Sequence, residues 1–230
     1  MFKNIKIISL LFCACFIPIS ASANYSNGVI AMLYGEYDLA VKEFTISAQE
    51  GDVEATYSLG YMYENQVGVS KDYDKALFWY RKAAALGDPK SQYIIGNMYN
   101  RGRGVKINQH QAVKWYHKAA KQGFGWAQYF YGLKLENGEG IRKNEKQAAL
   151  WYQRAADQEV ARAQYNLGSM YYDGRGVSKD YKLAYHWLYI ADAYAHKDAK
   201  EFLKKIALKI SENDIATLKK EAHLWIRRHR

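Results

Sequence analysis

A pattern of apolar and polar positions returns every 36 residues, four times in succession, over residues 52–195. One aromatic and one small residue mark the period most clearly: Trp79, Trp115, Trp151 and Trp187, and Gly60, Gly96, Gly132 and Gly168. Repetition at a period of about 20–50 residues is typical of solenoids, in which each unit buries its apolar face only by stacking on its neighbours. The sequence therefore predicts a single all-α, right-handed α/α solenoid of stacked helix-turn-helix repeats.

Each repeat contains two segments with the apolar spacing of a helix, joined by a short segment that is usually rich in glycine. Small residues recur on one face of both segments, which allows two helix backbones to approach closely. Paired glycines such as Gly102 and Gly104 are expected in turns with positive φ, and not in a phosphate-binding loop, because they do not lie between a strand and a helix. Each second segment follows a residue that is able to cap a helix N-terminus: Asp72, Asn108, Asn144 or Asp180.

These repeated residues resemble the Sel-one-like repeat family, a relative of the tetratricopeptide repeats. The matching positions are Ala163, Leu167, Gly168, Tyr171, Gly174, Gly176, Val177 and Asp180, together with Lys75, Ala76, Trp79, Tyr80, Lys82, Ala83, Ala84 and Gly87. The chain departs from the family pattern at Gln66, Lys134, Leu135 and Glu159. The resemblance divides residues 52–195 into four repeats, at 52–87, 88–123, 124–159 and 160–195.

The segments on either side of the four repeats are also expected to be helical. Residues 24–51 look like one tetratricopeptide unit, a helix pair with a shorter loop, on the spacing of Gly28, Gly35, Tyr37, Ala40 and Phe44. Residues 196–230 predict two more helices, at 198–210 and 211–230, the second with Ser211 and Asp214 as a capping box. Because solenoids need atypical terminal units to cover their last core face, we expect both ends to act as caps.

Residues 1–23 have the features of a signal peptide. Lys3 and Lys6 form a basic start, an apolar run follows, and Ala21 and Ala23 frame a small-residue cleavage site. The run is too short to span a bilayer, and no second apolar run of about twenty residues follows it. We therefore expect cleavage after Ala23, a mature chain without a transmembrane segment, and a periplasmic protein, with secretion as the alternative.

Candidate chemistry is sparse in this chain. Both cysteines, Cys13 and Cys15, fall in the predicted signal peptide, so the mature chain has no thiol nucleophile and no disulfide. His110 and His117 are seven residues apart, which does not fit a zinc-binding pair, and no serine-nucleophile motif is present. We predict no catalytic residue, no metal site and no cofactor, and an exported protein is not expected to meet nucleic acid.

The chain is basic, with a formal net charge of +10, and its C-terminal end is the most basic part. Trp225, Arg227, Arg228 and Arg230 lie close together there, and this tail suggests a weak contact with an anionic surface such as lipid head groups or cell-wall polymer. The alternative interpretation is that Trp225 covers the end of the core while the arginines keep that end hydrated.

The third repeat departs from the others on its first helix. Trp126, Phe130 and Leu133 are spaced as i, i+4 and i+7, whereas the equivalent positions are mostly polar in the other repeats. First helices line the concave face of tetratricopeptide-like solenoids, so we expect an aromatic groove for a peptide or helix, extended by Ile94 and Tyr61. The alternative is that this repeat has repacked internally, since other positions in it are also atypical.

Together these observations predict a non-enzymatic scaffold or adaptor that binds another protein, of the cell envelope or of a host, on the concave face. The family resemblance implies adaptor roles of this kind in the bacterial envelope. Two alternatives remain open. A cysteine-rich branch of the family is associated with β-lactam binding and weak hydrolysis, although no mature cysteine of this chain matches it. The basic tail alternatively suggests a module that binds cell wall or anionic lipid.

Overall fold

The computed structural model describes residues 19–229, with side chains described from residue 23 onwards. Residues 1–18 of the predicted signal peptide lie outside the described residues. The described part of the chain is entirely helical, as predicted, and no helix in it combines the length and apolar character needed to cross a membrane. The helices are α1 (Ile19–Leu33), α2 (Tyr37–Gln49), α3 (Val53–Asn65), α4 (Tyr73–Ala85), α5 (Pro89–Arg101), α6 (Gln109–Lys121), α7 (Gly125–Asn137), α8 (Glu145–Ala156), α9 (Ala161–Asp173), α10 (Tyr181–Ala193), α11 (Ala199–Ala207) and α12 (Glu212–His229).

The helices stack as successive hairpins. The first helices of the four repeats are α3, α5, α7 and α9, and the second helices are α4, α6, α8 and α10. Each first helix packs against the second helix of its own repeat and against the helix that precedes it in the chain. The helix pair α1 and α2 continues the stack at the N-terminal end. The predicted α/α solenoid is therefore confirmed, with an apolar core that runs along the stack between the helices.

The glycine that marks the 36-residue period lies where the two helices of a repeat come closest. A Cβ atom at Gly60 would lie 2.7 Å from the Tyr80 ring, and one at Gly96 would lie 2.6 Å from the Tyr116 ring. Such distances are far below van der Waals contact, so a larger residue here would push the two helices apart. The periodic glycine therefore makes room for the large buried residue opposite it, which is tyrosine in three repeats and Leu188 in the fourth.

The predicted helix caps are confirmed. The side chains of Asp72, Asn108, Asn144 and Asp180 each accept a hydrogen bond from the backbone N–H three residues later, at 2.9–3.0 Å. At the other end of the turn, the first helices end on a left-handed residue, which is glycine in three repeats and Gln66 in the first, with φ of 59°. Glu159 is also left-handed, with φ of 62°, where the first two repeats end in Gly87 and Gly123.

Ion pairs join neighbouring repeats at two junctions. Glu64 of the first repeat accepts hydrogen bonds from the Tyr80 hydroxyl at 2.9 Å and from Arg103 of the second repeat at 3.3 Å. Glu136 of the third repeat pairs in the same way with Arg175 of the fourth. Because each arginine lies one repeat beyond its glutamate, these pairs tie consecutive repeats together.

The junction between the second and third repeats is built differently. Lys134 replaces a methionine that is fully buried in the other three repeats, and the lysine is itself buried. Its Nζ atom donates hydrogen bonds to Asn100 Oδ1 at 2.6 Å, to Gln109 Oε1 at 2.8 Å and to the Glu139 carboxylate. Asn100 and Glu139 stand where the other junctions have glutamate and arginine. A buried ammonium group has therefore taken the place of the arginine as the cation of this junction.

The C-terminal helices α11 and α12 both pack against α10. Ser211 caps α12, as predicted, because its hydroxyl accepts a hydrogen bond from the Asp214 N–H at 3.1 Å. Asp214 also pairs with Lys182 of α10 at 2.7 Å, and the Trp225 ring meets the Trp187 ring edge to face at 6.0 Å. Helix α12 therefore covers the last tryptophan of the 36-residue period.

Candidate protein-binding surface

The candidate surface lies on the first helices and consists of Tyr61, Ile94, Trp126, Phe130 and Leu133; we call it the first-helix surface. Its most prominent side chain is Trp126, in the first turn of α7, which keeps 43% of its surface exposed. The Trp126 ring stands edge to face on the Tyr129 ring at 6.3 Å. Tyr129 is buried and also contacts the Tyr152 ring at 5.8 Å, so the exposed indole packs against a side chain that is held in the core.

Phe130 is placed more deeply than its spacing predicts. Its ring stacks on Tyr116 at 5.5 Å and contacts Tyr93 at 5.6 Å and Tyr129 at 5.1 Å. Tyr93 and Tyr116 belong to the second repeat, so Phe130 fills the space between two repeats as well as facing outwards. This half-buried ring contributes to the packing of the junction, which is what the alternative interpretation of a repacked third repeat anticipated.

The other three predicted residues differ in their surroundings. Leu133 is half-buried and packs against the same core cluster as Phe130. Ile94 is also half-buried but packs against the core of the preceding repeats, together with Tyr57. Tyr61 is 42% exposed in the first repeat. The structure therefore brings together the three α7 residues, while Ile94 and Tyr61 lie one and two repeats away; a role in partner binding stays a prediction for all five.

A cation lies beside this aromatic cluster. Burial raises the pKa of the Tyr129 hydroxyl, and the Arg162 guanidinium opposes that rise through its charge and a hydrogen bond. Arg162 occupies in the fourth repeat the position that Trp126 has in the third, and Lys90 occupies it in the second. Both cations are exposed, so the tryptophan is flanked along the solenoid by one positive charge on each side.

The surface also extends further towards the C-terminus than the sequence predicts. Phe202 of α11 meets the Tyr165 ring of the fourth repeat at 6.2 Å, and His196 stacks on Tyr165 at 4.1 Å. The Tyr165 and Phe202 rings border a cavity of about 330 Å³, which is also lined by Asp198, Glu201 and Lys205. Phe202 lies 36 residues after Asn166, so the repeat period itself was the signal by which this extension could have been found.

The other side chains that the sequence singles out, His117 and Trp225, pack against rings of the chain itself. Residues 19–229 contain no group of three or more His, Cys, Asp or Glu side chains placed to hold a metal ion. His117, one of the two histidines of α6, stacks on the Tyr131 ring at 4.6 Å, and burial lowers its pKa. The Trp225 ring of the basic tail contacts the Trp187 ring and stacks on the His229 ring at 3.9 Å, so the indole is packed against other rings of the same chain.

Comparison with known proteins agrees with this architecture. The model of the Sel1 repeat matches four times, at residues 53–88, 89–124, 127–160 and 161–191. The crystal structure of a Sel1 repeat protein from Oxalobacter formigenes is similar over 85% of this chain and 83% of that one, with 31% identity and a TM-score of 0.74. A search of curated protein sequences gave no match.

Two further structures are similar. The first is c5321, a protective antigen present in uropathogenic Escherichia coli strains displaying an SLR fold, with 27% identity and a TM-score of 0.58. The match covers 91% of this chain but only 54% of c5321, so this chain corresponds to about half of that protein. The second is the immunity protein PA5088 from Pseudomonas aeruginosa, which shares the fold at 23% identity and a TM-score of 0.51, over 92% of this chain and 82% of that one.

Proposed function

This chain belongs to the Sel1 repeat family, and on that premise we propose that it is a non-enzymatic adaptor that binds a partner protein or peptide on the first-helix surface. The observation that carries the proposal is Trp126, a large aromatic side chain of helix α7 that is 43% exposed. Aromatic residues supply much of the binding free energy of protein interfaces, and a preformed surface avoids the entropy cost of ordering side chains and loops on binding.

We place this adaptor in the bacterial cell envelope, with a partner in the envelope or in a host. The support is the signal-peptide pattern of residues 1–23, which predicts export to the periplasm or beyond. The likeness to a protective antigen of uropathogenic Escherichia coli is consistent with a position outside the cytoplasm. We expect the partner on the side formed by the first helices, which is the concave side in tetratricopeptide-like solenoids.

The two alternative functions receive less support. The β-lactam alternative needs cysteines at family positions, and the two cysteines of this chain lie at positions 13 and 15. Hydrolysis of a chromogenic cephalosporin by the purified protein measures that activity directly. The lipid or cell-wall alternative rests on the basic tail, whose tryptophan is already packed against Trp187. Pelleting with anionic vesicles or peptidoglycan, with and without residues 212–230, measures that contact.

The proposed function is tested by crosslinking and capture from the native cell envelope with Trp126→Ala as the comparison. Because the indole is exposed, its removal is expected to change the free energy of unfolding by less than about 1 kcal/mol. We expect a protein that the wild type captures to be lost with Trp126→Ala. Leu150→Ala is the matched control, since Leu150 is an exposed apolar residue of the same repeat but lies on the second helix, α8.

Phe130→Ala separates packing from binding. The ring contacts two tyrosines of the second repeat and one of its own helix, so we expect this substitution to lower the free energy of unfolding by about 2–3 kcal/mol. A double substitution of Trp126 and Phe130 would confuse the two effects and is not the informative variant. Capture that survives in a folded Trp126→Ala protein contradicts the proposed function.

A further inference from the structure

We propose that the segment bound beside Trp126 is an acidic peptide, in which aspartate or glutamate residues flank an apolar residue. This inference rests on the proposed function and names the chemistry of the partner. It concerns the surface formed by the second, third and fourth repeats, where Lys90, Trp126 and Arg162 occupy the same position of consecutive first helices.

The charges of this surface are unbalanced in the middle of the solenoid. Helix α5 carries Lys90 and Arg101 and no carboxylate. Helix α7 carries one carboxylate, Glu136, which already accepts hydrogen bonds from Arg175 and from the Tyr152 hydroxyl. Asp88, the N-cap of α5, is buried, and its carboxylate accepts hydrogen bonds from the Lys90 and Ser91 N–H groups. The exposed charges of helix α5 are therefore the two cations.

The exposed cations of this surface are not paired with carboxylates in the part of the chain that the structure describes. Among the residues that the structure describes, Lys90, Arg101 and Arg162 form no ion pair within 4.0 Å. Lys90 lies over the Tyr57 ring at 5.8 Å, and Arg162 interacts with the Tyr129 hydroxyl. Both side chains are thus held near aromatic rings of the first helices while their charge stays available.

The negative groups lie at the two ends of the same row. Glu54 holds this position in the first repeat, and Asp198 holds it one period after Arg162. The order along the solenoid is therefore negative, positive, aromatic, positive and negative. Charges arranged in this way select a partner of complementary sign and position it, since electrostatic complementarity acts mainly on specificity and association rate. A short acidic segment with an apolar centre fits the middle of the row.

The test is selection from a phage-displayed library of random peptides at low salt. Three proteins are compared: the wild type, Trp126→Ala, and the double variant Lys90→Glu with Arg162→Glu. We expect the wild type to enrich peptides with Asp or Glu on both sides of a large apolar residue. The double variant is expected to enrich peptides with Lys or Arg at those places, and Trp126→Ala to enrich none.

One peptide selected by the wild type is then measured by fluorescence anisotropy. We expect its affinity to fall at least tenfold in the double variant, and also on raising the salt from about 50 to about 300 mM, because exposed charge pairs are screened. Lys114→Glu with Lys146→Glu makes the same change of net charge on the second helices and is the matched control. This control is expected to leave the affinity within about twofold.

The outcomes separate this inference from the proposed function. Peptides that depend on Trp126 but show no preference for acidic residues overturn the inference and leave the binding surface in place. Peptides that bind Trp126→Ala as well as the wild type count against the surface itself. A wild type that selects no peptide also overturns the inference, and the capture experiment then tests the proposed function alone.

Discussion

The junction between the second and third repeats allows a sharp test of how ion pairs hold the stack together. Three substitutions, Asn100→Glu, Lys134→Met and Glu139→Arg, would give this junction the residues found at the other two. The first junction has Glu64, Met98 and Arg103 at these positions, and the third has Glu136, Met170 and Arg175. If the buried lysine is a substitute for the arginine pair, the triple variant is expected to fold as the wild type does.

The single substitution Glu139→Arg is expected to be costly. It removes the carboxylate that pairs with the buried Lys134 ammonium and brings a second cation to the same place. Two like charges about 4 Å apart repel by about 4 kcal/mol at an effective dielectric constant near 20. Residue 139 is half exposed, so an arginine there can turn partly into water, and the net loss is expected to be about 3 kcal/mol.

The triple variant removes the cause of that loss. The methionine introduced by Lys134→Met would occupy the position at which Met98 and Met170 are fully buried, and the new arginine would face a glutamate at position 100. We therefore expect the triple variant to lie within about 1 kcal/mol of the wild type, because a buried ion pair and an apolar replacement of similar size differ little in free energy. Lys134→Met alone removes the donor of three hydrogen bonds, and because the Glu139 carboxylate is half exposed and can turn towards water, we expect a loss of only about 1 kcal/mol.

The assay is urea unfolding followed by far-ultraviolet circular dichroism, with the slopes compared to detect any loss of cooperativity between repeats. The comparison that matters is between Glu139→Arg and the triple variant, since both contain the new arginine. A triple variant no more stable than Glu139→Arg would refute the equivalence of the two bridges. So would a Glu139→Arg protein as stable as the wild type.

Two further outcomes follow from the same structure. Gln66→Gly and Glu159→Gly are each expected to raise the free energy of unfolding by about 0.5–1 kcal/mol in the same urea assay, because both residues are left-handed with φ near 60°; unchanged midpoints would contradict this. The hydrogen bond from the Lys134 ammonium holds the pKa of Glu139 below its ordinary value. The stabilisation from this pair is therefore present above the unfolded-state pKa of about 4.3, and it is lost as the pH falls through the lower folded-state pKa. Lys134→Met is therefore expected to lose less stability than the wild type between about pH 6 and pH 3, and equal losses would count against this assignment.

The fold was predictable because its determinants are local and repeated. Gly60 and the large buried residue opposite it, Tyr80, recur at the repeat period, as tyrosine in three repeats and as Leu188 in the fourth, and each copy indicates the same helix crossing. The caps at Asp72 and its three equivalents lie next to the helices that they begin, so their position in the sequence is sufficient to locate those helix ends. Because the pattern is present in four copies, a single exception such as Gln66 does not obscure it. Gln66 adopts the left-handed conformation of the turn although it is not glycine.

The candidate site was predictable only in part, because a long side chain at an outward-facing position can still bend back and become partly buried. Phe130 lies at a position that holds Ser58 in the first repeat and Asn166 in the fourth, and helical spacing alone directs it outwards. Its ring nevertheless reaches back over the helix to Tyr93 and Tyr116. Spacing fixes the direction of the Cα–Cβ bond and leaves open which neighbouring ring a large side chain contacts.

The burial of Lys134 illustrates a second limit. The residue is atypical in the sequence, but its three acceptors come from two repeats: Asn100, Gln109 and Glu139. None of these residues is diagnostic alone, since each is common on protein surfaces. Only the stacking of the second repeat on the third brings them around one nitrogen atom, so the network is a tertiary property that periodicity does not report.

Two of the departures of the third repeat, Trp126 and Lys134, lie on the same helix, and we infer that they act together. Trp126 and Lys134 both belong to α7, two turns apart, and the proposed surface combines Trp126 with Lys90 of the second repeat. A surface built from two repeats keeps its geometry only if the junction between them has one arrangement. Methionine packs adaptably and accepts small shifts between helices, whereas an ammonium group with three directed hydrogen bonds loses them when the helices slide. A buried lysine at this junction therefore gives up some tolerance to shifts in return for a defined orientation of the second repeat on the third, which holds Trp126 in a fixed place relative to Lys90.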